Sequence, residues 1–157
     1  VRPLVSDNQE VISSTAIRHV IAAGEVAKAQ YMLGRAYTIS GTVVLGNQRG
    51  NTIGFPTANL ALEATKIAVP QIGVYAVNVY IDGKCYKGMA NIGKNPTFGD
   101  VEEARLEVNI FDFNGNLYGK EITVAFIERI RGEVKFASVD ALVEQIKKDK
   151  ETCLNLL

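Results

Sequence analysis

Thr57 and Asn59 stand two residues apart in Gly54-Phe55-Pro56-Thr57-Ala58-Asn59-Leu60, where they offer a hydroxyl and an amide oxygen. Pro56 fixes its own φ and pushes Phe55 to extended geometry, so the chain is expected to leave this point as a strand on which positions i and i+2 share a face. Two neutral oxygens facing one way suit a hard cation such as Mg²⁺, which keeps several waters and takes most of its other ligands from phosphates. The preceding loop carries Gly46 and Gly50, and missing side chains there let backbone amides approach an anion closely. The same residues also fit a plain Gly/Pro/Asn turn between strands, and spacing alone leaves both readings open.

Glu107 is the second group with chemical potential. In Arg105-Leu106-Glu107-Val108-Asn109-Ile110-Phe111, alternation puts Leu106, Val108 and Ile110 on one face and Glu107, Asn109 and Phe111 on the other. That second face is either the solvated side of a strand or a carboxylate beside a ring-binding surface, able to accept a hydroxyl proton. Arg131 follows the last strand, where its guanidinium would meet a phosphate, stack on a ring or serve as surface. His19 reads as a helix-surface residue, and Lys147-Lys148-Asp149-Lys150 as a solvated helix face. Gly88-Met89-Ala90-Asn91-Ile92-Gly93-Lys94 mimics the start of a P-loop. Asn95 stands where Ser or Thr should be, however, and Pro96 biases it away from the helix such a loop must enter, so the match is rejected.

Six runs rich in Val, Ile, Tyr, Phe and Thr could position these groups: 37–45, 57–62, 73–82, 84–92, 105–113 and 120–130. Asp82-Gly83 and Asn114-Gly115 supply residues that tolerate positive φ, which predicts antiparallel hairpins 73–82/84–92 and 105–113/117–130. Six antiparallel strands without long intervening helices favour a small closed barrel, because closure removes the exposed edges. Before the strands, Ser13-Ser14-Thr15 through Gly24 and Glu25 through Gly34 predict two short helices, so residues 1–35 read as a small helical module. After them, Ser138 is a candidate N-cap for a helix whose Leu142, Val143, Ile146, Cys153 and Leu154 would dock on the barrel.

Composition narrows the class. The 157 residues fit one ordinary domain with a short appendage. Seventeen charges of each sign give no basic surplus for nucleic acid. No run approaches the ~18 apolar residues of a membrane helix, and the opening Val1-Arg2-Pro3-Leu4 lacks a signal-peptide core, so a cytoplasmic protein is expected. Cys85 and Cys153 form no CxxC pair and read as reduced packing residues. With His19 the sole histidine, a His/Cys metal site is excluded. The chain opens without Met and reads as a piece of a longer protein.

These segments in this order resemble the riboflavin kinase family, particularly the kinase module at the C-terminal end of bifunctional bacterial FAD synthetases. The resemblance is carried by Gly41-Thr42-Val43-Val44, the loop Gly46 through Gly54, Phe55-Pro56-Thr57-Ala58-Asn59-Leu60, Gly73-Val74-Tyr75, and Asn91-Ile92-Gly93 with Asn95-Pro96-Thr97-Phe98. Glu107, Leu117-Tyr118-Gly119 and Arg131 with Glu133, Lys135 and Phe136 complete it. It implies a mainly β, six-stranded antiparallel barrel of Greek-key type with a C-terminal helix, spanning 36–157. It also implies transfer of the γ-phosphate of ATP to the 5′-hydroxyl of riboflavin, giving FMN. By matching position it implies Gly46, Arg49, Gly50, Gly54, Thr57 and Asn59 at the nucleotide, with Thr57 and Asn59 on Mg²⁺ or another divalent cation. Glu107 becomes the base, and Arg131 and Phe136 border the flavin. Val11-Ile12-Ser13-Ser14-Thr15-Ala16-Ile17-Arg18 is similar to the closing motif of the adenylyltransferase module of the same enzymes, with Ala16 where family members often carry Arg. That module would be the partner within a full-length chain, and no FMN adenylylation is expected of the piece alone. The competing functional class is a non-catalytic flavin- or nucleotide-binding module.

Overall fold

In a computed structural model of the chain, the structure describes residues 4–5, 11–12, 14–44, 57–60, 62, 68–95, 103–113 and 115–157. Strands β3 (Tyr37–Val44), β4 (Ala58–Leu60), β5 (Gly73–Ile81), β6 (Lys84–Asn95), β7 (Glu103–Ile110) and β8 (Glu121–Arg131) close into a barrel in the order β3-β4-β7-β6-β5-β8. Every neighbouring pair is antiparallel, and β8 returns to β3 to seal the barrel. A short pair, β1 (Leu4–Val5) with β2 (Val11–Ile12), precedes the barrel where the sequence suggested only loop and helix. Helices α1 (Ser14–Ala22) and α2 (Val26–Leu33) follow that pair, and α3 (Val139–Leu156) follows β8.

Alternation on the strands sorts side chains into a dry interior and a functional exterior. Ala58, Leu60, Ala90, Ile92, Leu106 and Val108 point inward and share one cluster with Ile39, Val43, Val77, Val79, Val124 and Phe126. Tyr75 meets Phe126 edge to face at 5.4 Å, filling the centre. Val26 of α2 reaches the same cluster, while Val20, Ile21 and Ala29 form a smaller one with Tyr37 and Ala68. The turn between α1 and α2 requires glycine: Gly24 has φ +81, and a Cβ there would stand 2.8 Å from Arg129 Cδ.

The Asp82-Gly83 hairpin forms as expected, with φ 50 and 81 at its two turn residues. The Asn114-Gly115 hairpin does not form, because β7 and β8 are not neighbours. Phe111 and Leu117, on either side of the expected turn, are both buried. Phe111 N–H donates to Lys87 C=O at 2.9 Å, and Gly119 N–H donates to Val43 C=O at 2.9 Å, so the connection is tied first to β6 and then to β3. This long connection between distant strands gives the barrel its Greek-key character. The P-loop mimic Gly88–Lys94 lies wholly within β6, which confirms its rejection.

Strand β8 does not alternate regularly. It pairs Phe126 with Val77, then Glu128 with Ala76 and Arg129 with Tyr75, and finally Arg131 with Val74. Ile127 and Ile130 are the extra residues at two register shifts. Such bulges re-aim the side chains that follow, and here they place Arg129 opposite the inward Tyr75 and Arg131 opposite the outward Val74.

Candidate active site

Helix α3 starts where Ser138, with extended φ −151 and ψ 163, accepts a hydrogen bond through Oγ from Ala141 N–H at 3.1 Å, as an N-cap should. Its docking differs from the sequence expectation at two positions. Leu154 is exposed, whereas Asp149 is buried with Cys153 on the barrel side. Cys153 packs against Ala76 and Phe111 on the outside of the sheet, and burial together with the Asp149 carboxylate pushes its thiol up to about 12. Cys85 is exposed, and both cysteines are free.

Between the outer face of the sheet, residues 131–139 and α3 lies a cavity of about 730 Å³, within the range that holds a small-molecule ligand. Its lining mixes polar side chains, Thr57, Asn91, Arg105, Glu107 and Asn109 among them, with the apolar Val74, Met89, Phe136, Leu142 and Ile146. The register places part of this lining in one line. Asn59 of β4 pairs with Glu107 of β7, Glu107 with Asn91 of β6, Asn91 with Val74 of β5, and Val74 with Arg131 of β8. These five residues form one row across five strands on the outward face.

Thr57, Glu107, Arg131 and Phe136 therefore meet in one cavity. Asn59 lies beside Glu107 in the row but is itself buried and is not part of the cavity lining. The expectation that Thr57 and Asn59 share a face holds, since Ala58 and Leu60 both turn into the core. Gly46, Arg49, Gly50 and Gly54 lie outside the described residues, as do Phe55, Pro56 and Pro96-Thr97-Phe98.

Glu107 faces the cavity instead of being a solvated strand residue, with its side chain 17% exposed and its Oε1 3.2 Å from Arg105 Nε. Arg131 is engaged differently. Its Nε stands 3.1 and 3.0 Å from the two Asp149 oxygens, its Nη2 donates to Asp149 Oδ2 at 2.8 Å, and its Nη1 donates to Gly132 C=O at 3.0 Å. Gln145 Nε2 adds a hydrogen bond to Asp149 Oδ1 at 2.9 Å. Asp149 is thus no part of a solvated charge run, and sequence reasoning missed it because the lysines around it hide a position facing a cation from another element. The Arg131 guanidinium lies 5.8 Å from the centre of the Phe136 ring. Asn109, which alternation put on the Glu107 face, lines the cavity, whereas Asn91 was missed as a lining residue, its alternation with buried Ile92 being the available signal.

Among the described residues no group of three or more His, Cys, Asp and Glu side chains could hold a metal. The donors beside Glu107 are instead neutral oxygens. Such a set leaves a cation's charge available to phosphate oxygens, the arrangement suited to a nucleotide-borne divalent ion.

Comparison with known proteins decides the family. The profile of the Flavokinase family, riboflavin kinase, matches residues 33–157. The chain belongs to the riboflavin kinase family. It is 44% identical over 152 residues to the bifunctional riboflavin kinase/FMN adenylyltransferase of Bacillus subtilis (strain 168), covering 96% of this chain and 48% of that protein. The chain spans about half the length of the curated relatives it matches. A crystal structure named as a macrolide-efflux protein from Streptococcus pneumoniae superposes with TM-score 0.88 and 48% identity, over 99% of this chain and 50% of that one. The efflux activity in that name is said of that protein; in this riboflavin kinase family member no described helix is long and apolar enough to cross a membrane. The riboflavin kinase from Trypanosoma brucei shares the fold at TM-score 0.54 and 24% identity, over 76% of this chain and 78% of that one.

Proposed function

We propose that this chain is an ATP:riboflavin 5′-phosphotransferase that makes FMN. The observation that carries the reading is the outward row of Asn59, Glu107 and Asn91, of which Glu107 and Asn91 line one cavity together with Thr57 and with the apolar Val74, Phe136 and Leu142. Riboflavin combines the same two characters, a flat ring and a hydroxyl chain. Val74, Val134, Phe136 and Leu142 would take the ring, and the Glu107 carboxylate would meet the terminal hydroxyl. Arg131, with its donors on Asp149 and Gly132, has its flat face left to offer, which supports a role bordering the ring over a role on phosphate.

Thr57 and Asn59 would hold Mg²⁺ with ATP, and the bound cation would supply charge neutralisation to the phosphates. The glycines at 46, 50 and 54 and Arg49 would face the nucleotide. Glu107 accepts the proton of the 5′-hydroxyl as that oxygen bonds to the γ-phosphorus, and the bond from the γ-phosphorus to the bridging oxygen breaks to release ADP. The protein's part is mostly placement, because holding the hydroxyl near the phosphorus removes translational and rotational freedom before the reaction. Residues 1–35 would be the closing part of an adenylyltransferase module and 36–157 the kinase domain. The bifunctional names of relatives about twice as long, and the start of the family match at residue 33, support that division.

Incubation of folded protein with riboflavin, ATP and Mg²⁺, followed by chromatography, should yield FMN only when all three are present. Flavin binding without FMN formation would refute the kinase reading and leave a binding module.

A further inference from the structure

Arg105 and Arg131 line the same cavity but differ in what their guanidinium groups have left to give. Arg131 commits Nε and Nη2 to Asp149 and Nη1 to Gly132 C=O. Among the described residues, Arg105 has one ionic partner, Glu107, which it meets through Nε at 3.2 Å. Its side chain is 32% exposed against 20% for Arg131. The fork of Arg105, Nη1 and Nη2, faces no described acceptor. Strand pairing sets Arg105 opposite Gly93, and the guanidinium lies across that glycine: a Cβ there would stand 3.0 Å from Nη2.

The position matters because of a charge problem in the reaction. A carboxylate base beside a γ-phosphoryl group places two anionic centres together, and like charges at close range disfavour that encounter. A planar guanidinium can relieve this in a way an ammonium cannot, since its Nε edge and its Nη fork contact two different anions at once.

We propose that Arg105 is a catalytic residue that bridges Glu107 and the γ-phosphoryl group of the nucleotide, with Nε on the carboxylate and the Nη fork on γ-phosphoryl oxygens. The proposal rests on the reading of Glu107 as the base. As the 5′-oxygen bonds to the γ-phosphorus and the bridging bond to ADP breaks, the hydroxyl proton passes to Glu107. Arg105 holds the carboxylate oriented towards that hydroxyl and offsets charge on the transferred group. No electron or further reactant is required.

The test uses Arg105→Gln and Arg105→Lys, with single-turnover FMN formation and calorimetric titration of ATP, ADP and riboflavin, each in the presence of Mg²⁺. In Arg105→Gln the transfer rate should fall at least about tenfold, the scale of one lost charge-assisted donor in a transition state. ATP affinity should fall by at least about fivefold more than ADP affinity, because ADP lacks the group the fork contacts. Riboflavin affinity should stay within about twofold, since the bridge places the Arg105 fork on the γ-phosphoryl group and not on the flavin ring. Arg105→Lys, which keeps the charge without the fork, should fall between parent and Arg105→Gln. Equal losses of ATP and ADP affinity would show that Arg105 only positions Glu107, and a transfer rate within about threefold of the parent would remove it from the reaction; either result overturns the bridge. A parent protein that forms no FMN refutes instead the kinase reading on which the bridge depends.

Discussion

Replacing Asp149 with Asn should destabilise the fold far more than a helix position among three lysines would suggest. Asp149 and Arg131 side chains are 3% and 20% exposed, and three nitrogen–oxygen approaches of 2.8 to 3.1 Å join them. Removing one partner of a buried pair costs roughly 3–5 kcal/mol, mostly because the remaining charge stays buried without compensation. Arg131 keeps some contact with water, so the low end applies, about 3 kcal/mol. For a chain of this size that corresponds to a fall in Tm of about 6–12 °C. Urea unfolding of Asp149→Asn, Arg131→Met and the double variant Arg131→Met/Asp149→Asn would measure the coupling. The double variant leaves no orphaned charge, so its loss should be smaller than the sum of the two single losses by about 1–3 kcal/mol. If Asp149→Asn unfolds within about 0.5 kcal/mol of the parent, as ordinary surface changes do, or if the losses simply add, the pair does not anchor α3 to the cavity wall.

Glu107→Gln should keep the fold and substrate binding while lowering kcat by about 10²-fold, the lower part of the general-base range because a loose transition state uses the base late; stopped single-turnover assays would show it. Thr57→Ala should weaken MgATP binding by severalfold and leave riboflavin binding close to the parent, read by calorimetry; equal effects on both ligands would make Thr57 a turn residue. Alkaline pH should destabilise the protein through Cys153, whose thiol rises from 9.0 to about 12 in the folded chain. The folded state holds that proton more tightly than the unfolded state, so the stabilisation is full below about pH 9 and is lost as pH climbs towards 12. Cys153→Ala should flatten the part of the Tm–pH profile that begins near pH 9, while Tyr37 and Tyr75, both raised from 10.0 chiefly by burial, continue the decline at higher pH.

Much of the barrel was legible because its signals are local. Alternation in β7 assigned Leu106 and Val108 inward and Glu107 outward, and Pro56 with Thr57 and Asn59 marked a strand whose polar side chains share a face. Asp82-Gly83 specified its hairpin because its two turn residues carry the positive φ that the connection needs. Asn114-Gly115 carried the same signal and misled, because the burial of Phe111 and Leu117 overrode it. The aim of Arg129 towards the inward Tyr75 could not be read from β8, since alternation from Ile122, Val124 and Phe126 would turn it outward with Arg131, and a bulge that exists only in the pairing with β5 reverses it. Asp149 was invisible for a related reason: its partner lies on another element, and nothing in a run of charges says which one faces inward. The row from Asn59 to Arg131 is likewise a property of strand order, because it joins residues that no periodicity connects.

The seam between β3 and β8 carries a consequence for how the molecule is made. Tyr37 through Thr42 pair with residues 121–126, so the first barrel strand to leave a ribosome waits for the last before that edge is covered. The hairpin of β5 and β6 can zip as soon as it emerges, whereas β3 needs the remaining barrel sequence as well, synthesised at ~5–20 residues per second. Over those seconds Thr38, Ser40 and Thr42 present hydroxyls along the outer face of the waiting strand, a composition less inviting to stray strands than an apolar one would be. Helices α1 and α2 precede β3 and are available to shelter Tyr37 from the outset. The cavity comes later still, because one of its walls, from Glu133 to Asp149, follows the sealing strand.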